Sequence, residues 1–148
     1  MMKSLKNLFT PKTPAEQPMP SEVAVAALLV EAALVDGVYV NIESDMIAEI
    51  LLESFNFDAD KADAVLAEAE ALAEEAVGSH QFTKHAKKLP MADQVKVIEA
   101  IYRVILSDGE RSDVEEAYVR HVAGLLYVDD IARAEARKRA ELRSSEAG

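Results

Sequence analysis

The sequence predicts an all-α protein of about seven helices, and three observations carry the prediction. Proline and glycine number five each, and four of the prolines fall within the first 20 residues, so Pro90 is the one proline in residues 21–148. Half of the residues are apolar, with Ala and Leu abundant and aromatics few, and no segment alternates like a strand over a useful length. Finally, one helix–acidic loop–helix unit is used twice, with Asp36-Gly37 and Glu43 in the first copy and Asp108-Gly109 and Glu115 in the second.

Residues 1–20 are read as a basic, Pro-rich tail and linker expected to be disordered; Leu5, Leu8 and Phe9 cluster on one side of a short basic segment too brief to hold a helix alone. Ser21 is the expected N-cap of a helix through Val35, apolar on nearly all sides and therefore central. A second helix is expected from Asn41 to Asn56, with Ile42, Met46, Ile47, Ile50, Leu51 and Leu52 at helical spacing. Asp58 or Asp60 caps a third, through about Val77, rich in Ala and Glu and partly exposed; Gly78 ends it, and Ser79 is placed to cap a short fourth helix through Lys88. Pro90 or Met91 opens a fifth, apolar from Val95 to Ser107; a sixth runs from Ser112 to about Tyr127; Asp129 caps a charged seventh. One helical domain over 21–142 results, with a tail at 143–148 expected to be disordered.

A shift of 72 residues lays the second half on the first. Val23, Val25, Leu34, Asp36, Gly37, Glu43 and Asp58 fall on Val95, Val97, Leu106, Asp108, Gly109, Glu115 and Asp130, and Ile42, Ile47, Ile50 and Phe55 fall on Val114, Val119, Val122 and Tyr127. Neither unit covers its apolar faces alone, so the two apolar helices are expected to pack together. Glu31 aligns with Arg103, and a lone buried charge is costly, so the two are expected to approach each other.

Charge and composition exclude several functions. The net charge is −11; the first 20 residues carry +2 and the last 20 are balanced, so the body carries −13, which repels phosphate backbones and attracts cations or basic partners. No nucleic-acid partner is expected. Without cysteine there is no disulfide, thiolate metal site or thiol nucleophile. The N-terminus has no apolar leader and the longest apolar run, 23–35, is short and broken by Glu31, so a cytoplasmic protein is expected, with the inner face of the membrane as a peripheral location.

The acidic loops are the candidate site. They are not EF-hands: the first and third ligand positions would be Ala32 and Leu34, or Val104 and Leu106, none of which offers a side-chain oxygen. Gly37 and Gly109 suit left-handed residues ending a helix, and Ser112-x-x-Glu115 reads as a capping box. Asp36 and Asp108 are not explained that way, because a carboxylate at a helix C-terminus opposes the macrodipole by a few tenths to ~1 kcal/mol. Each either bonds its own turn or is compensated by a cation, a basic group or a hydrogen-bond network; for a cation, Asp36, Glu43, Asp108 and Glu115 would offer oxygen ligation suited to Ca²⁺, Mg²⁺ or Mn²⁺ rather than Zn²⁺. His80 and His85, five apart, point about 140° from each other on a helix and form no zinc pair. His121 has no partner motif, and no phosphate loop, nucleophile elbow or dinucleotide fingerprint occurs, so no enzyme is expected.

A buried helix, DGVYVNIE, an amphipathic helix and FNFDAD, then an apolar helix, SDGERSDVE and LLYVDD, resemble the TerB family of tellurite-resistance proteins over residues 21–135. The same domain occurs in the membrane-associated co-chaperone DjlA, but this chain has no His-Pro-Asp of a J-domain. The resemblance implies a compact, non-enzymatic all-α fold in bacterial stress responses, with Asp36, Glu43, Asp108 and Glu115 as the metal-binding acids; Val40 replaces the small polar residue usual in the first loop. The alternative is a metal-free adaptor that uses the acidic helix over 59–77 to engage a protein partner or membrane complex.

Overall fold

A computed structural model describes residues 19–35, 41–75, 78–107 and 113–147, with side chains described from Ser44 in the second segment and up to Arg143 in the last. Seven helices occur among them and no strand: α1 Ser21–Leu34, α2 Asn41–Phe55, α3 Ala59–Glu75, α4 His80–Ala86, α5 Met91–Leu106, α6 Asp113–Leu125 and α7 Asp130–Ala147. The tail and the linker up to Pro18 lie outside the described residues; Met19 packs against the core. α7 continues through Ala147.

The two core helices start alike. Pro20 and Pro90 take extended backbone (φ −58°, ψ 142° and φ −57°, ψ 153°) and their carbonyls accept the first helical amides, Val23 and Ala24 in α1 and Asp93 and Gln94 in α5. Proline has no N–H to waste there. The expected cap at Ser21 is therefore corrected: Ser21 is the first helical residue, and its hydroxyl donates to the carbonyl of His85 in α4 (3.2 Å). Ser79 likewise makes no cap hydrogen bond to α4, because its hydroxyl is committed elsewhere.

α1 is central. Every residue from Val23 to Val30 is buried, with Ala32 and Ala33, and α2, α3, α4, α5 and α6 all pack on it. A helix apolar all round has no solvent face to offer, so it is surrounded. α5 packs on α1 and buries Val97, Ile98, Ala100, Ile101, Tyr102, Val104 and Ile105.

The most extensive packing in each half is between the first and third helices, α1 with α3 and α5 with α7. The repeat is thus a three-helix unit. Lys61 reaches Glu22 (2.9 Å), joining the first turns of α1 and α3. Arg139 reaches Glu99 (2.6 Å) and Arg133 the Tyr102 hydroxyl (3.3 Å), tying α7 to α5.

The register of the repeat changes once. Ile47, Ile50 and Leu51 match the buried Val119, Val122 and Ala123 at a spacing of 72. Beyond them the spacing is 71. The left-handed residues that end α2 and α6 are Asn56 and Tyr127, both at φ 59°. Asp58 caps α3 through the Lys61 amide (2.7 Å), and Asp129 caps α7 through the Ala132 amide (2.8 Å). The matches of Phe55 with Tyr127 and of Asp58 with Asp130 are corrected accordingly. Equivalent carbonyls close both turns: Leu51 accepts from Phe57 (3.4 Å), and Ala123 from Val128 (2.9 Å), which is one residue sooner. The second turn is a Schellman motif, completed by the Tyr127 amide on the Gly124 carbonyl (3.2 Å).

No helix among the described residues is long and apolar enough to cross a membrane.

Candidate functional site

Two helix ends and two helix starts frame the acidic loops, and they match. Val35 (φ −58°, ψ −34°) and Ser107 (φ −64°, ψ −28°) are both right-handed at the C-caps of α1 and α5. α2 then begins at Asn41 and α6 at Asp113, again 72 apart. Five residues therefore separate helix cap from helix start in each copy, and Glu43 and Glu115 are each the third residue of their helix. A carboxylate at that position faces the unpaired amides and positive end of the helix.

Asp36 and Asp108 lie outside the described residues, as does the side chain of Glu43. Whether the two aspartates meet at one point lies outside them too. Glu115 is the acid whose side chain is described, and it is buried at 5% exposure in the first turn of α6. A carboxylate there is not a solvated surface charge, and it retains an interaction partner. Among the described residues no three His, Asp or Glu side chains converge as a metal would require. The rejected EF-hand positions are apolar in space as in sequence, since Ala32 and Val104 are buried in the core.

Glu31 and Arg103 do not approach each other, contrary to the expectation from their alignment. Arg103 turns to α2, where it binds the Glu53 carboxylate (2.8 Å) and the Ser54 hydroxyl (3.4 Å). Glu31 takes two hydroxyls on its Oε1, from Ser79 (2.8 Å) and from Tyr118 of α6 (3.0 Å). The Tyr118 hydroxyl is also 2.9 Å from the Leu28 carbonyl. Burial pushes the Glu31 carboxyl above its ordinary 4.5, while Ser79, Tyr118 and the charge of His121 pull it down. The Tyr118 hydroxyl is pushed well above 10 by burial and by the charge of Glu31.

This junction is the functional-looking feature that sequence reasoning missed. Glu31 on an apolar helix signals that a partner exists, but Ser79 and Tyr118 lie 48 and 87 residues away. Equivalent residues of a duplicated fold meet only near its pseudo-axis, so the alignment pointed to the wrong partner.

The histidines play separate parts. His80 is exposed at the start of α4, whereas His85 is buried, and burial, then Lys88 and Lys84, lower its pKa from 6.5. Both border an open groove of about 460 Å³ with Met19, Glu75, Gln81 and Lys84. The Nδ1 of His85 is sealed from solvent and has no hydrogen-bond partner.

Neither a curated protein nor a solved structure matches the chain significantly. A family model does, that of tellurite resistance protein TerB, over residues 22–138. That span begins in the first turn of α1 and ends midway along α7, so it takes in both acidic loops and all of the two three-helix units but Ser21 and the second half of α7. The chain belongs to the TerB family.

Proposed function

We propose that the protein is a non-enzymatic stress-response protein of the tellurite-resistance type that binds a divalent cation through Asp36, Glu43, Asp108 and Glu115. One observation supports the reading above others. The two loops have the same length between matched helix ends, which sets Glu43 and Glu115 at equivalent positions, and the described member of that pair is buried. Two aspartates following the negative ends of α1 and α5 are each unfavourable alone, and a shared positive charge offsets both. All-oxygen donors select Ca²⁺, Mg²⁺ or Mn²⁺.

The test is a thermal melt with each cation in turn. At about 100 times its Kd a cation stabilises by about 2.7 kcal/mol, which for a domain of this size raises Tm by roughly 5–10 °C. The double substitution Asp36→Asn with Asp108→Asn should abolish the rise. Melting that is unchanged at millimolar cation sinks the proposal.

A metal-free adaptor is the second reading, and it too rests on one observation. α3 exposes Asp60, Asp63, Glu68, Glu74 and Glu75, while its one base, Lys61, is drawn off to Glu22. A basic protein partner fits that face, by itself or as part of a membrane complex. Binding should then be sensitive to salt and lost when these acids are neutralised; full retention after neutralisation counts against it.

A further inference from the structure

The turns after α2 and α6 are each closed by one left-handed residue, and the two residues differ in kind. Asn56 suits its φ of 59°, because asparagine is one of the few side chains that take this conformation readily. Tyr127 takes the same φ of 59° with a bulky side chain, at a position where glycine or asparagine is the usual choice. Packing within the chain does not offset that strain, since Tyr127 is 74% exposed. What its ring meets is the Lys87 ammonium, 4.7 Å from the ring centre. A strained residue is a pointer to function, and an exposed aromatic is the kind of side chain that anchors an interface.

The neighbours of Tyr127 extend the surface. The Lys87 contact sets the turn before α5 beside the turn before α7. Gln94 fixes the first of these turns, donating from Nε2 to the carbonyls of Lys87 (2.9 Å) and Leu89 (3.0 Å). Each of the two helices then opens with an exposed apolar side chain, Met91 (53%) in α5 and Ile131 (73%) in α7. Three of the six large apolar side chains exposed among the described residues therefore belong to this corner. Charges of both signs border it. On the α4 side Lys84, Lys87 and Lys88 are exposed. On the α7 side Asp129 and Asp130 are exposed; Asp129 accepts the Ala132 amide on Oδ1 and Asp130 meets Arg133 through Oδ1 (3.3 Å), so each has a second oxygen to offer.

We propose that this corner is a self-association surface, on which a second copy of the chain docks about a two-fold axis. A two-fold contact lays one patch against itself, so the patch must be complementary to itself. An apolar centre with a basic edge and an acidic edge meets that condition. Tyr127, Met91 and Ile131 close on their counterparts, and Lys87 and Lys88 of each copy face Asp129 and Asp130 of the other. A patch bordered by one sign of charge would repel its own copy. The net charge of −11 on each chain opposes the contact, so burial of the apolar centre supplies the affinity and the bordering charges set the register.

Sedimentation equilibrium of the full chain, in chelator so that cations bound at the acidic loops do not intervene, should show a reversible monomer–dimer equilibrium. Tyr127→Asn installs the residue that the first half uses. Relief of strain should raise the Tm of dilute, monomeric protein by roughly 2–4 °C. The same substitution should weaken dimerisation roughly tenfold or more. A tyrosine with a structural role alone would not move the two readouts in opposite directions. Charge reversal then tests the axis. The double variant Lys87→Glu with Lys88→Glu, and separately Asp130→Lys, should each dimerise more weakly than the parent, and an equimolar mixture of the two should dimerise more tightly than either alone. A parent chain that stays monomeric up to millimolar concentration overturns the proposal. So does a dimer that Tyr127→Asn leaves unchanged, or a mixture no tighter than its components.

Discussion

Asp58 and Asp129 offer a direct test of the duplicated architecture. Each accepts the amide of the third residue of its helix, Lys61 at 2.7 Å and Ala132 at 2.8 Å, and both side chains are exposed. Replacing a capping aspartate by alanine leaves one helix amide without its partner and removes a negative charge from the positive end of the helix dipole. The two losses together amount to about 1 kcal/mol per site. For a domain of this length each kcal/mol lowers Tm by roughly 2–4 °C. The sites belong to different halves and share no partner, so the double variant Asp58→Ala with Asp129→Ala should lose about 2 kcal/mol, additive to within ~0.5 kcal/mol. Asparagine retains the acceptor oxygen and should cost less than half as much as alanine at either site. Urea unfolding of the two single variants, the double variant and the two asparagine controls measures all of this. A loss at one site but not the other, or asparagine as costly as alanine, would refute the claim that equivalent caps start α3 and α7.

Two further substitutions probe packing. Gly124→Ala should stabilise by about 0.5–1 kcal/mol in the same unfolding assay, because a Cβ there meets nothing within 4 Å and alanine is the better helix former. Arg103→Ala should cost about 1 kcal/mol, and part of the cost should vanish in high salt. Its partner Glu53 is 44% exposed and already shared with Arg143 (3.6 Å), which limits the ionic contribution, while the arginine stem is itself largely buried.

How much of this was legible in the sequence depends on the range over which each signal acts. α1 and α5 were readable because a helix apolar on nearly all sides has one place to go, and their ends at Leu34 and Leu106 precede the change to Asp-Gly. Asp129 was readable as a cap, and Asp58 as one of two candidates beside Asp60, because capping is settled within four residues. Ser21 and Ser79 look like equally good caps, yet their hydroxyls go to His85 and Glu31. A serine has one proton to give, and a tertiary acceptor won at both positions. The close pairing of α3 with α1 and of α7 with α5 was not readable, since α3 exposes so much Ala and Glu that its narrow buried strip of Ala62, Val65, Leu66, Ala69 and Ala73 does not stand out. In the candidate site, the equal spacing between the helix ends that flank the two loops was legible in the sequence. The burial of Glu115 was not, because a charged residue in a first turn is ordinarily read as a solvated cap.

The single-residue difference between the halves falls in the turn after α2 and α6. A residue lost inside a helix rotates everything beyond it by about 100°. Had α6 lost one ahead of Val119, the buried Val119, Val122 and Ala123 would have swung off the core. Placed after Ala123, the loss is absorbed by a tighter closing hydrogen bond and one left-handed residue, and Ala136 and Ala140 of α7 still face inward, as Val65 and Ala69 do in α3. The corner between the second and third helices of each half is therefore where this fold tolerates insertion and deletion, and length variants among its relatives should be sought there.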